Sequence, residues 1–262
     1  MTLPSAGTDW SGWLAGMALV VVRISGLMVF APVFSSEAIP MRVKAMFVLS
    51  VSYLIAPVAV SFQGAHVELG VLPVLGELSV GLIFGITLSL VFEALSFTGQ
   101  VMGFQFSFSL VNLLDPNAPV QSSLMGQMFG LLGTLTVIGS GLDRTAIAAL
   151  LRTFSAAPVG SVTLDPRAGI ALVAMGAGVF ASAVQLAAPV VAATLLAEMA
   201  VALAGKLAPQ LPVMAVTVPV KTLLGYGVLI GSLALWPRYI ERGWVAGLDQ
   251  AGHLLAGAAG RL

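Results

Sequence analysis

The side chains of this sequence that could do chemistry are a few ionisable groups within long apolar stretches. They are Arg23, Glu77, Glu93, Glu198, Lys206 and Lys221. An ionisable group inside a membrane is costly, and it is a candidate for a proton or ion site in a transporter. The same groups can instead form ion pairs within or between chains or line an aqueous lumen, and we favour that interpretation. Glu77 and Glu93 lie about 24 Å apart along a helix, so they cannot share one site.

The sequence contains no arrangement of groups that an enzyme would need. There is no Glu-x-x-His motif, phosphate-binding glycine loop or nucleophile elbow, and no readable Ser-His-acid triad. The chain has no cysteine, and His66 and His253 are too few for a histidine metal cluster. We therefore predict that the chain is not an enzyme and uses no cofactor or metal. Its formal net charge of +0 gives no indication of a nucleic-acid partner.

The composition is that of a membrane protein. Hydrophobic residues make up 58% of the chain and charged residues only 8%, against roughly 25% charged in soluble domains. No charge stands between Asp115 and Asp143 or between Arg167 and Glu198. Each run exceeds the roughly 20 residues that span a bilayer core. Residues 1–9 lack the basic stretch of a signal peptide, so we expect no cleaved leader.

Six apolar segments can position the ionisable groups. They cover residues 10–34, 45–62, 69–102, 124–142, 169–203 and 213–236. The sequence therefore predicts an all-α membrane protein, with about six apolar helices arranged as kinked hairpins in a single polytopic unit, residues 1–262. A short helix over residues 146–154 is expected between the fourth and fifth segments, with Asp143 as its cap.

Glycine and proline are frequent in these segments. Small residues such as Gly81 and Gly85 let helices pack closely in lipid, either within the chain or against a larger complex. Several prolines are expected to kink or break helices, as in transporters and gates: Pro32, Pro57, Pro73, Pro189 and Pro219. Pro40 and Pro212 stand at segment starts, where proline is tolerated.

Residues 103–120 interrupt the helical pattern after the third segment. Phenylalanines alternate with polar residues, a period of two that favours extended chain, and a turn follows. Extended backbone at membrane depth must be enclosed by protein or line a cavity. We predict an extended re-entrant or plug loop that closes a lumen; a passive re-entrant connection is the alternative. Its candidate residues are Phe104, Gln105, Phe106, Ser107, Phe108, Ser109, Asn112, Asp115 and Pro116.

The tail, residues 237–262, is amphipathic. Arg238, Glu241, Arg242 and Asp249 alternate with Ile240, Trp244, Leu248 and Leu255, which favours an interfacial helix. Basic residues are retained on the cytoplasmic side of membranes. We therefore expect Arg42, Lys44 and Lys206 to face the cytoplasm.

Three motifs together resemble the family of the flagellar biosynthetic protein FliR. The first is Glu37-Ala38-Ile39-Pro40 followed by Arg42-Val43-Lys44. The second runs from Gln105 to Leu114-Asp115-Pro116, and the third is Ala208-Pro209-Gln210-Leu211 with Pro219 and Lys221 downstream. Their order and spacing match the family over nearly the whole chain. The related SctT-type virulence subunit shares the last motif but usually has a different central loop.

The resemblance implies a core subunit of the flagellar type III export gate, in the bacterial inner membrane at the flagellar basal body. Such a subunit joins FliP-type and FliQ-type subunits, contacts FlhB-type and FlhA-type export proteins, and lets unfolded substrates pass through the centre. The family's central loop acts as a plug, and its segments sit partly above the usual membrane plane. A virulence export-gate subunit remains an alternative, as does a small-molecule or ion secondary transporter, although no internal repeat is evident. An intramembrane enzyme would need the catalytic groups that are absent.

Overall fold

The computed structural model describes residues 10–63, 65–106, 124–162, 166–208, 210 and 212–258. Within these residues the regular structure is helical and contains no strand. The helices are α1 Trp10–Phe30, α2 Pro32–Ser35, α3 Met41–Ser61, α4 Val71–Gln105, α5 Leu124–Gly139, α6 Leu142–Ala156, α7 Pro166–Leu207, α8 Val213–Ser232 and α9 Trp236–Ala258, with a 3₁₀ turn at Leu233–Leu235. Five stretches are long and apolar enough to cross a membrane, or six with one bent pair. The predicted all-α membrane fold with about six apolar helices is therefore confirmed.

The bent pair is α5 and α6, whose axes meet at 69°. At 16 residues, α5 is about 24 Å long, shorter than the roughly 30 Å hydrocarbon core. The chain turns at Gly141, whose φ of 67° is the left-handed conformation that glycine adopts readily. Gly141 is also the N-cap of α6, so the prediction that Asp143 caps this helix is wrong. Asp143 lies inside the first turn, where its charge favours the helix dipole instead.

Two helices are much longer than a bilayer is thick. With 35 residues, α4 measures about 52 Å, and with 42 residues, α7 measures about 63 Å. The helix α7 continues through Pro189, α3 through Pro57 and α8 through Pro219. These three prolines therefore do not end their helices. Pro73 lies in the first turn of α4, where its missing N–H has no partner to lose.

The chain divides into two compact units. Unit 1 comprises Met1–Leu90, Val137–Met175 and Gly243–Leu262, and unit 2 comprises Val91–Thr136 and Gly176–Arg242. In unit 1, α1 packs against α3, and large side chains with less than 2% exposure form the core. They include Leu19, Leu27, Phe84, Leu88, Leu150, Phe154 and Trp244.

The amphipathic tail forms α9, but its apolar face is buried in the protein. Ile240, Trp244, Leu248, Ala251 and Leu255 recur every three or four residues and are all buried. In unit 1, Trp244 Nε1 donates a hydrogen bond to the backbone oxygen of Leu142 at 3.0 Å. Protein therefore covers the apolar face that was expected to enter the membrane interface, and the position of this helix relative to the membrane stays a prediction.

Candidate functional site

The start of the central loop is held by an aromatic stack in unit 2. Phe106 lies parallel to Tyr226 of α8, with ring centroids 4.6 Å apart and an interplanar angle of 10°. Phe106 is only 4% exposed. A Cβ atom at Gly225 would meet the Phe106 ring and lie 3.1 Å from its Cδ1 atom. Glycine at position 225 thus makes room for the ring beside α8.

A hydrogen-bonding contact and an ion pair lie close to this aromatic stack, on α7 and α8. The Thr194 hydroxyl of α7 lies within hydrogen-bonding distance of Gln105 Oε1, at 3.2 Å, and of the backbone oxygens of Val190 and Val191 in its own helix. One turn further along α7, Glu198 accepts a hydrogen bond from the ammonium of Lys221, one turn before Gly225 on α8. Lys221 is 12% and Glu198 39% exposed. Gln105 and Phe106 therefore contact α7 and α8, respectively. We use the name loop anchor for Gln105, Phe106, Thr194, Gly225 and Tyr226.

The backbone at the loop anchor differs from the sequence prediction. Residues 103–105 belong to α4, and Phe106 N donates to the Met102 oxygen at 2.9 Å, so these residues are not extended. Phe104 is 68% exposed whereas Phe106 is buried. Helical residues two apart point in nearly opposite directions, about 200° around the axis. The other predicted loop residues lie outside the described residues: Ser107, Phe108, Ser109, Asn112, Asp115 and Pro116.

A second polar cluster lies in unit 1 and is fully buried. Arg23 of α1 and Glu77 of α4 each have a side-chain exposure of 0%. Arg23 Nε donates to Glu77 Oε2 at 2.5 Å and Nη2 donates to Glu77 Oε1 at 3.0 Å. This is the bidentate geometry that makes arginine–carboxylate pairs strong.

The remaining hydrogen-bonding capacity of this ion pair is used by α6 and the turn after it. Arg23 Nη1 donates to Thr153 Oγ1 and Nη2 to the Ala157 oxygen, both at 3.0 Å. The Gly160 N–H donates to Glu77 Oε1 at 2.8 Å, and the guanidinium lies 4.2 Å from the centroid of the Phe154 ring. With these partners in place and no exposure to water, the cluster joins α1, α4 and α6 structurally.

Glycines bring α1 and α4 close enough for this pairing. A Cβ atom at Gly26 would lie 3.0 Å from Gly81 Cα, and one at Gly81 would collide with the Arg23 carbonyl oxygen. Gly26 follows Arg23 by about one turn, and Gly81 follows Glu77 by about one turn. Gly81 was recognised from the sequence as a small packing residue and Gly26 was not, although each glycine stands about one turn after one of two opposite charges.

The other predicted residues do not join either cluster. Glu93 is exposed on α4 and has no hydrogen bond or ion pair within the described part of the chain. Lys44 Nζ donates to the Ser35 oxygen at 2.9 Å. Four further positions are exposed: Pro40, Arg42, Lys206 and Pro219. Gln210 is exposed in a turn, and Pro209 lies outside the described residues.

The fold and these clusters define a polytopic helical membrane protein whose buried charges are paired. Residues 14–246 match the family described as bacterial export proteins, family 1. The chain is similar to the flagellar biosynthetic protein FliR of Escherichia coli K12, 24% identical over 89% of this chain and 90% of the relative. FliR of Caulobacter vibrioides is 28% identical over 83% and 88%, and FliR of Bacillus subtilis 27% over 83% and 85%. The chain therefore belongs to the bacterial export proteins of family 1, as a member of the FliR family.

Proposed function

We propose that this chain is a core subunit of the flagellar type III export gate, in the bacterial inner membrane at the flagellar basal body. With FliP-type and FliQ-type subunits it forms the channel for unfolded flagellar proteins, and the assembly contacts FlhB-type and FlhA-type proteins. The observation that carries the proposal is the family match over residues 14–246. The relatives reported above are flagellar by name, which favours this system over a virulence system.

The long helices support an assembled rather than a solitary subunit. At about 52 and 63 Å, α4 and α7 exceed the roughly 30 Å that lipid can cover. Yet α7 keeps large apolar side chains exposed along its length, such as Val173, Phe180, Leu196 and Leu203. Partner helices would cover the apolar surface that lies beyond the hydrocarbon core.

The loop anchor supports a closure role for residues 103–120. A segment that closes a lumen must have a fixed base, and Gln105 and Phe106 are held by α7 and α8. Phe104 precedes Gln105 and is 68% exposed, so its aromatic ring is available for contact with a neighbouring segment or subunit. Phe108 is the third phenylalanine of the alternating series in the sequence.

Co-expression tests the subunit assignment. Expressed alone, the chain should be degraded or aggregate, and FliP-type and FliQ-type subunits should restore its accumulation, because their helices would cover its apolar faces. A monodisperse and thermally stable monomer in detergent that binds a small solute would instead favour a secondary transporter.

Ion conductance tests the closure role. In the assembled complex, replacing Phe104, Phe106 and Phe108 by serine should raise the conductance above background while assembly survives. Phe30, 44% exposed on α1, is a suitable control, and Phe30→Ser should leave conductance at background. A triple variant that assembles and conducts no more than the parent complex would rule out a plug.

A further inference from the structure

A cavity of about 360 Å³ lies in unit 2, between α7 around Pro189 and the junction of α8 with α9. Its volume falls within the range of roughly 300–1,000 Å³ typical of small-molecule sites. The lining combines cationic, aromatic and apolar side chains, chiefly Arg238, Arg242, Trp236, Tyr239, Leu186 and Pro189. None of the loop anchor residues lines it.

Two arginines give this cavity its charge. Arg238 and Arg242 are four residues apart on α9, so both lie on one face of the helix. Neither forms a hydrogen bond or an ion pair within the described part of the chain, and both are exposed. Like charges at this spacing repel each other. An anion between them would remove the repulsion, and the guanidinium fork matches the oxygens of a phosphate group.

The aromatic wall of the cavity is rigid. Trp236 is 3% exposed, stacks on Phe129 with centroids 4.4 Å apart, and donates from Nε1 to Ser232 Oγ at 3.3 Å. Tyr239 lies beside it on α9 and is half-buried. Tryptophan and tyrosine are enriched at the headgroup level of membranes, where one end of the ring system meets lipid and the other meets water.

Apolar surface continues from the cavity along the neighbouring helices. Val184, Ile230 and Leu235 are 57%, 67% and 64% exposed, respectively. Pro189 has no N–H to bond to the carbonyl of Gln185, four residues earlier, which leaves an acceptor beside the cavity for a hydroxyl group. A ligand that fits this surface has an anionic phosphate, a hydroxyl-bearing headgroup and long acyl chains.

We propose that this cavity binds the headgroup of an anionic phospholipid such as phosphatidylglycerol. Arg238 and Arg242 hold the phosphate, Trp236 and Tyr239 flank the glycerol region, and the acyl chains follow the exposed apolar side chains. Basic pockets beside transmembrane helices bind acidic lipid headgroups by the same physical chemistry. Free inorganic phosphate shares the anionic group but leaves the apolar surface uncovered, so the lipid is the occupant that accounts for both.

Native mass spectrometry of the full chain tests this site. The chain is extracted from the bacterial membrane in neutral detergent, together with any subunits that stay bound. Phosphatidylglycerol, phosphatidylcholine with the same acyl chains, and inorganic phosphate are titrated separately. Phosphatidylglycerol should bind about tenfold or more tightly than phosphatidylcholine, because choline adds a fixed positive charge beside the two arginines and carries no hydroxyl group. Phosphate alone should neither bind measurably nor displace it.

The variant Arg238→Gln with Arg242→Gln should lose this preference. Arg238→Lys with Arg242→Lys should keep the preference but weaken it, since lysine carries the charge without the fork. The matched control, Arg144→Gln with Arg152→Gln, removes two exposed arginines from α6 in unit 1 and should change nothing.

Three outcomes would overturn the proposal. The two lipids could bind equally, or inorganic phosphate could compete as well as lipid. The glutamine variant could also release a bound subunit while lipid binding stays unchanged, which would make the arginines a protein contact. The thermal stability of each variant in detergent separates loss of the site from loss of the fold.

Discussion

Phe106, the last described residue of this stretch of the chain, lies flat against Tyr226, with ring centroids 4.6 Å apart and an interplanar angle of 10°. Such a pair stabilises by about 0.5–1.5 kcal/mol beyond its buried area. This contact connects the base of the central loop with α8. Changes at Tyr226 of α8 can therefore alter the packing of Phe106.

Loosening the aromatic stack should open the proposed channel. Tyr226→Leu should raise the ion conductance of the assembled complex, because the base of the loop loses its aromatic partner. Phe180→Leu is the matched control, since Phe180 pairs edge-to-face with Phe97 at 5.0 Å elsewhere in unit 2. It should cost a similar amount of thermal stability and leave conductance at background. Equal conductance in the two variants would show that the stack has no special link to closure.

Removing one partner of the buried Arg23–Glu77 ion pair should destabilise the protein more than replacing both partners. Glu77→Leu alone should destabilise the protein by about 3–5 kcal/mol, because it leaves the Arg23 charge buried without a partner. Arg23→Met combined with Glu77→Leu should recover much of that loss. Thermal unfolding of the purified protein measures both, with exposed Arg152→Met as the control. A double variant as unstable as the sum of the two single variants would contradict this account.

A methyl group between α1 and α4 should not be tolerated. Gly81→Ala places its Cβ against the Arg23 carbonyl oxygen and 3.0 Å from the Leu27 nitrogen, backbone atoms that cannot rotate away. We expect it to cost about 1–3 kcal/mol through overpacking. Gly252→Ala on α9 meets nothing within 4 Å and should be neutral or slightly stabilising. Similar melting temperatures for the two variants would mean that the close approach of α1 and α4 is not required.

The membrane orientation of the chain can be determined with introduced cysteines. The native sequence has no cysteine, and both Arg42 and Lys206 are exposed. Arg42→Cys, Lys44→Cys and Lys206→Cys should resist membrane-impermeant thiol reagents in intact cells, because basic residues are retained on the cytoplasmic side. Arg42→Cys and Lys206→Cys should react once the cells are permeabilised. Labelling of either in intact cells would reverse the orientation.

Hydropathy and charge predicted the helices well, because each helix depends on its own apolar residues. The pairing of Arg23 with Glu77 could not be predicted from their 54-residue separation, since it depends on where α1 crosses α4. The sequence could at most mark both residues as costly groups in need of partners.

Two local sequence patterns did not determine the structure, because each is compatible with two arrangements of the chain. Alternating phenylalanines predicted extended chain from Gly103, yet residues 103–105 complete α4 because their backbone hydrogen bonds continue the helix. Phe104 and Phe106 point to opposite sides in that helix, whereas extended chain would place them on one face. The tail was amphipathic as predicted, but amphipathicity does not show whether lipid or protein covers the apolar face, and Trp244 is buried in the protein.

The burial of the Arg23–Glu77 pair also bears on biosynthesis. A ribosome adds roughly 5–20 residues per second, so the 54 residues that separate the pair take about 3–11 s to make. During that interval Glu77 is not yet available to Arg23, and an arginine near the centre of a helix opposes membrane insertion by about 2.5–3.5 kcal/mol. The first helix of this chain is therefore synthesised before the carboxylate that pairs with its buried arginine.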